Sequence, residues 1–156
     1  MFLISLKTLK GKFFLLLAAV VAAVIVFALL SSSENREYSP ADGAPDFSAA
    51  THEEILSFIS ALGYTVKSSP ETVTEVIIPA QFNDVYKNYN ELQKQSGLDL
   101  SLYKGKTVKK WTYTITNYPQ YEGSDTVRIN LLVYNGRIIG GDICNIEIDG
   151  FMHSLR

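Results

Sequence analysis

The sequence predicts an α+β protein: one small domain with two helices on one face of an antiparallel sheet of four or five strands, behind an N-terminal transmembrane helix. Three observations predict it. The eighteen residues from Phe13 to Leu30 include no charged or strongly polar side chain. Two later segments carry apolar residues at helical spacing, and several others alternate or run apolar over strand lengths. Two of those strands flank Asn135-Gly136, the strongest short hairpin signal.

As a helix, Phe13 to Leu30 would span about 27 Å, close to the hydrocarbon thickness of a bilayer. A core helix normally keeps a polar stripe, and this run has none. Lys7, Lys10 and Lys12 precede it, whereas Arg36 is the only base among Glu34, Glu37, Asp42 and Asp46 after it. The positive-inside bias makes residues 1–12 a cytoplasmic N-terminus, 13–30 a single-pass anchor and 51–156 an extracytoplasmic domain. A cleaved signal peptide has the same charge order, and Ser31 and Ser33 supply small residues before a cut at Glu34, so a secreted domain is the alternative. Residues 31–50, rich in Ser, Ala, Asp and Pro, read as a flexible tether.

Thr51 and Glu54 form a capping-box pattern, with Ile55, Phe58, Ile59 and Leu62 following at helical spacing and Gly63 as a left-handed stop. Tyr64 to Lys67 and Val73 to Ile78 read as short strands. Pro79 is expected to open the second helix, with Phe82, Val85, Tyr86, Tyr89 and Leu92 on its apolar stripe and Gly97 as its stop. Leu98 to Lys106 reads as a loop with room for one helical turn. In Val108 to Asn117, Trp111, Tyr113 and Ile115 are expected in the core, and Thr112, Thr114 and Thr116 in water. Val127 to Tyr134 and Arg137 to Ile148 complete the hairpin.

A two-residue turn would pair Tyr134 with Arg137, Val133 with Ile138, Leu131 with Gly140, Ile129 with Asp142 and Val127 with Cys144. That register sets Asp142 among Val127, Ile129, Leu131, Val133, Ile138 and Cys144. Either a bulge at Gly140-Gly141 turns Asp142 outward, or an acid lies inside the core.

Composition narrows the function. After the span, eleven bases face sixteen acids, which excludes a broadly basic nucleic-acid surface. Cys144 is the only cysteine, so no intramolecular disulfide forms. It reads as a small buried hydrophobe, with a reactive thiol as the alternative.

The stretches IPAQFNDVYKNYNELQKQSGLDLSLYKGK (Ile78 to Lys106), YTITNYP (Tyr113 to Pro119) and VYNGRIIGGDICNIEIDGFMHSL (Val133 to Leu155) carry a further signal. Together they resemble an uncharacterised family of short exported or membrane-anchored proteins of Gram-positive anaerobes, a domain of unknown function. The resemblance covers Thr51 to the C-terminus and excludes the anchor. It implies one exported domain and brings no catalytic residues.

The motifs of catalysis are missing from the sequence. His52 and His153 stand in neither an HExxH motif nor zinc spacing, so no metal is assigned, although Asp142, Asp149 and His153 could meet at the end of the hairpin. There is no GxSxG elbow, and Gly140-Gly141 precedes a strand rather than a phosphate-binding helix. A paired-carboxylate site, for instance Asp99 with Asp142, stays open. The reading is therefore non-catalytic, with no cofactor and no nucleic acid.

Binding fits better. Tyr and Asn side by side suit a recognition surface, which singles out Asn117, Tyr118 and Tyr121 in the loop containing Pro119. Lys104, Lys106, Lys109 and Lys110 form a basic cluster, read either as solvated edge lysines or as a contact for anionic wall polymer or lipid. Asp142 is the possible functional acid. The expected function is a membrane-tethered extracytoplasmic binding module for protein, peptide or envelope polymer. One alternative is a structural or regulatory partner of another membrane protein, with Ala18-Ala19 and Ala22-Ala23 permitting close helix approach. A small hydrolase is the third.

Overall fold

A computed structural model of the chain describes residues 46–156. The expected anchor from Phe13 to Leu30, the N-terminus before it and most of the tether lie outside the described residues. Among the described residues no helix is long and apolar enough to cross a membrane.

The capping box forms as read. Glu54 N donates to Thr51 Oγ1 at 3.2 Å, while the Glu54 carboxylate accepts from Thr51 N at 3.2 Å and Ala50 N at 2.6 Å. Two amides that a helix start leaves orphaned are thereby satisfied, and α1 runs His52–Ala61. Leu62 caps it, and Gly63, at φ +88°, supplies the left-handed turn. Ile55, Phe58 and Ile59 are its buried side chains. Full burial of each is worth about 1.5–3 kcal/mol.

The strands are β1 (Thr72–Ile77), β2 (Thr107–Thr114), β3 (Val127–Tyr134), β4 (Arg137–Asn145) and β5 (Met152–His153). They form one antiparallel meander in the order β1-β2-β3-β4-β5. Tyr64 to Lys67, expected as a strand, contributes one isolated bridge, Val66 with Ile115. The second helix, α2 (Asp84–Gln95), begins five residues after Pro79. Ile78 still pairs with the loop before β2, donating to Lys106 O and accepting from Gly105 N, which keeps the chain extended there. Asn83 is the cap, accepting from Tyr86 N at 2.9 Å. A 3-10 turn (Leu100–Tyr103) fills the loop before β2.

The expectation of both helices on one face is overturned. Ile55, Phe58 and Ile59 of α1 pack with Tyr113, Ile129, Leu131, Val133 and Ile143. Tyr86 and Tyr89 of α2 pack with Val108, Leu132 and Ile139. Side chains alternate along a strand, so these two sets lie on opposite faces and the sheet is sandwiched. The near-continuous burial of β3 follows directly, because both of its faces are covered. Thr112 and Thr114, expected in water, lie on that second face and are buried too, Thr112 bonded to Asn130 and Thr114 to Glu71. On α2 itself the inward residues are Tyr86, Tyr89, Asn90 and Gln93, while Val85 is exposed. That polar stripe conceals a buried face from a hydrophobicity pattern.

The hairpin turn has Asn135 at φ +48° and Gly136 at φ +72°, two consecutive left-handed residues as a type I′ turn needs. Pairing begins as expected, Tyr134 with Arg137 and Val133 with Ile138. It then slips by one residue at a bulge, Ile139 being the extra residue, so Leu132 faces Gly140 and Asn130 faces Asp142. The expected partners of Leu131, Ile129 and Val127 are therefore wrong: they pair with Gly141, Ile143 and Asn145. Cys144 consequently leaves the α1 face for the α2 face, opposite Arg128.

The domain also begins before Thr51. Phe47 O accepts from Ile138 N at 2.8 Å, Ala49 N donates to Gly136 O at 2.8 Å, and Ser48 bridges Arg137. This end of the expected tether lies along the outer edge of β4, which β5 covers further on.

Candidate functional site

The bulge does turn Asp142 away from the α1 core, but into a second buried layer rather than into water. Asp142 is 3 % exposed. One carboxylate oxygen accepts from Tyr89 Oη at 2.8 Å, the other from Asn130 Nδ2 at 2.9 Å. Thr112 Oγ1 donates to Asn130 Oδ1 at 2.8 Å, and Asn130 Nδ2 also reaches Cys144 Sγ at 3.5 Å. Beside this seam, Gln93 Oε1 accepts from Gly141 N at 2.7 Å, and Gly141 is tightly confined: an added Cβ would meet Asn130 O at 2.5 Å. Burial, reinforced by the adjacent Asp142 charge, pushes the Tyr89 phenol far above its ordinary value. Burial and then Asp142 likewise raise the Cys144 thiol, which keeps it protonated and a poor nucleophile.

Asp99 does not join Asp142. It caps the 3-10 turn, and hydrogen bonds from Ser101 and from the Asn90 amide hold its carboxyl at about 2. His153 cannot join Asp142 either, since it pairs with Ile143 on the opposite face. Among the described residues no three His, Cys, Asp or Glu side chains are grouped to hold a metal.

The expected contact residues scatter. Asn117 is a structural clamp: its Oδ1 accepts from Thr65 N at 2.7 Å and its Nδ2 donates to Gly63 O at 3.0 Å, tying the end of α1 to the segment after β2. Tyr118 stacks on Phe151 at 5.1 Å and on Tyr64 at 6.0 Å, and Tyr121 meets Phe151 edge-on at 5.8 Å. Both tyrosines are half-buried against the α1 core. His153 Nδ1 lies 2.6 Å from the Ser154 carbonyl, so it donates there and Nε2 accepts from Tyr118 Oη at 2.9 Å. Lys104 sits over the Phe82 ring, 4.7 Å from its centroid. Lys106 is exposed in the loop before β2, and Lys109 and Lys110 point to opposite faces of β2. The basic cluster is split.

Among the described residues, two surface clefts stand out. One, of about 450 Å³, is lined by Lys67, Glu71, Thr114, Asp125 and Arg128. Its charges are already paired, Lys67 with Asp125 at 2.7 Å and Arg128 with Glu71. The other, of about 350 Å³, lies where β1 and β2 meet the hairpin turn. Glu75, Lys109, Trp111, Val133, Tyr134 and Gly136 line it. His52 stands beside Trp111 at 6.2 Å, donating from Nε2 to the Ser68 carbonyl and accepting at Nδ1 from Tyr113 Oη, each at 3.1 Å. Asp142 lines neither cleft.

A family described as a domain of unknown function, DUF4830, matches residues 58–143, more than half of the chain. The chain belongs to the DUF4830 family. No curated protein and no solved structure matches it. The DUF4830 match runs from Phe58 in α1 to Ile143 in β4, so it takes in β1, the Trp111 cleft apart from its Ala49–Ala50 wall, and the whole Tyr89–Asp142–Asn130 seam. Phe151 and His153, which pack on Tyr118, lie beyond it.

Of the cleft residues, the sequence marks only Lys109 for contact. Trp111 reads there as core, Glu75 carries no motif, and Tyr134-Asn135 is one of several Tyr–Asn pairs, not singled out for contact. The available signal was β1 itself, a strand of β-branched residues with neither Lys nor Pro to blunt it.

Proposed function

We propose that this DUF4830 protein is a membrane-tethered extracytoplasmic binding module, without catalytic activity of its own, for a protein, peptide or envelope polymer. The observation that carries this reading is the Trp111 cleft: an open concavity with aromatic, apolar and charged walls beside an exposed strand. Of the acids that could have served catalysis, Asp142 spends both oxygens on internal donors, and Asp99 spends Oδ1 on Asn90 and Ser101. The apolar run from Phe13 to Leu30 and its flanking charges support the tether.

The test is a thermal-shift screen of the full chain in detergent against wall fragments, anionic lipid headgroups, divalent metals and envelope proteins. A ligand that binds only the folded form at about 100 times its Kd adds about 2.7 kcal/mol and raises the melting temperature by several degrees. A flat response across the panel counts against a soluble ligand.

One surface favours a second reading, a structural or regulatory partner of another membrane protein. Ile146, Ile148 and Met152 stand exposed around the turn between β4 and β5, Ile148 at 96 %. Combined with small residues at Ala18 and Ala22, this would bring two contacts to one partner. Ala18→Leu with Ala22→Leu should abolish co-purification, and unchanged recovery would sink the idea.

A further inference from the structure

The two edges of the sheet are treated differently. The outer side of β4 is covered at its start by Phe47 to Ala49 and at its end by β5, itself only two residues long. Among the described residues β1 has a strand partner on one side only. It is six residues long, reads Thr-Val-Thr-Glu-Val-Ile, and five of those residues are β-branched. Exposed edges of this kind are normally blunted with lysine, proline or a bulge inside the strand, because they invite another strand. Here Val73 is 44 % and Ile77 68 % exposed.

The register says which groups are on offer. Ile78 N donates to Lys106 O, and on β2 Ile115 N donates to Val127 O, which gives the odd residues of β2 to β3 and the even ones to β1. The even residues Thr72, Thr74 and Val76 therefore spend their backbone groups on β2. Val73, Glu75 and Ile77 aim theirs away from the sheet. Their side chains share the α1 face with Trp111 and Lys109, and Glu75 is part of the cleft wall. Backbone donors, backbone acceptors and a side-chain cleft thus lie along one line, the arrangement that strand addition uses.

Charge selects the occupant. Glu75 is the only charged residue of β1 and has no ion-pair partner among the described residues. A second copy pairing antiparallel about the strand centre would set Glu75 against Glu75, which is unfavourable. A strand with a basic residue there, flanked two positions away by apolar residues facing Val73 and Ile77, is complementary. We infer that β1 is a docking edge for an extended peptide of another protein, which adds as a sixth strand with Lys or Arg opposite Glu75. The inference rests on the binding-module reading and names its ligand class.

The probe is a capped seven-residue peptide of alternating valine and threonine with lysine at its centre, titrated onto the full chain in detergent. Trp111, the only tryptophan, reports binding by fluorescence. Saturable binding is expected, weakened about fivefold when the central lysine is glutamate. Glu75→Lys should reverse that preference. Glu75→Pro removes an outward N–H that β2 does not use, so it should abolish binding while leaving the melting temperature nearly unchanged. Peptide binding that survives Glu75→Pro would overturn the edge site while leaving the binding reading in place. Failure of the lysine peptide on a chain that responds in the thermal-shift screen would overturn the edge site alone; failure in both would remove the binding reading as well. A concentration-dependent dimer that Glu75→Pro dissolves would make the occupant a second copy and overturn the inference.

Discussion

The two faces of this sheet are held by different physics. Under α1, Ile55, Phe58 and Ile59 meet Tyr113, Ile129, Leu131 and Ile143, an aliphatic and aromatic layer that is mostly dry. Under α2, a smaller apolar cluster around Leu100, Val108, Leu132 and Ile139 borders a seam of Tyr89, Gln93, Thr112, Asn130 and Asp142. The first face stabilises through area and volume, which many sequences can supply. The second depends on directional hydrogen bonds, which tie the helix register to the strand register, although Gln93 Nε2 is buried there without a partner among the described residues. A one-residue slip of β4 would swing Asp142 into the dry layer.

Substitutions should separate the faces. The largest effect belongs to the dry face: Phe58→Ala should destabilise by about 3–5 kcal/mol in urea unfolding, set by the cavity left behind. On the polar face, Asp142→Ala strands the Tyr89 hydroxyl and one Asn130 N–H, at about 1–3 kcal/mol for each group left unsatisfied. Tyr89→Phe and Asp142→Asn in a double-mutant cycle should couple by about 0.5–3 kcal/mol. Additive values would mean that the seam is a set of independent bonds, and the contrast between the faces would weaken. Asn117→Ala, which cuts two clamps at the sheet's periphery, should lose about 1 kcal/mol per hydrogen bond.

The smallest effect is in pH. The Asp99 carboxyl is depressed to about 2 when folded, so its contribution is fully present above the ordinary carboxylate range near about pH 4 and is lost as pH falls toward 2. Asp99→Asn keeps a competent cap for Ser101 but removes the charge. Its melting temperature should therefore fall less steeply than the parent's between about pH 4 and 2. Parallel curves would remove Asp99 as a source of acid sensitivity.

Local chemistry was legible in the sequence, and tertiary consequences were not. The Thr51–Glu54 box, the stop at Gly63 and the Asn135-Gly136 turn depend on residues within a few positions of one another, and all formed. A bulge at Gly140-Gly141 was legible as one way to turn Asp142 off the apolar face, and it formed one residue earlier, at Ile139; that the other face is also covered was not legible. The sequence did expose Asp142 as an anomaly, an acid in an apolar register, yet its partner Tyr89 lies 53 positions away on a stripe taken as apolar core. The placement of α2 was missed because its buried face carries Asn90 and Gln93, residues that a hydrophobicity pattern reads as solvated. The Trp111 cleft draws its walls from four separate segments, and the only motif among them, the Asn135-Gly136 turn, reads as a hairpin and not as a site.

The docking of Phe47 to Ala49 on β4 has a mechanical consequence. A pull applied at residue 46 reaches the fold through two backbone hydrogen bonds, Ile138 N to Phe47 O and Ala49 N to Gly136 O, before it loads α1. That load enters at β4, three strand spacings from β1, about 14 Å across the sheet. Tension on the chain would strip this short clasp first and leave β1 and its ladder to β2 unstrained. The backbone edge of β1 would then keep its geometry, while the Trp111 cleft would lose the wall that Ala49 and Ala50 supply.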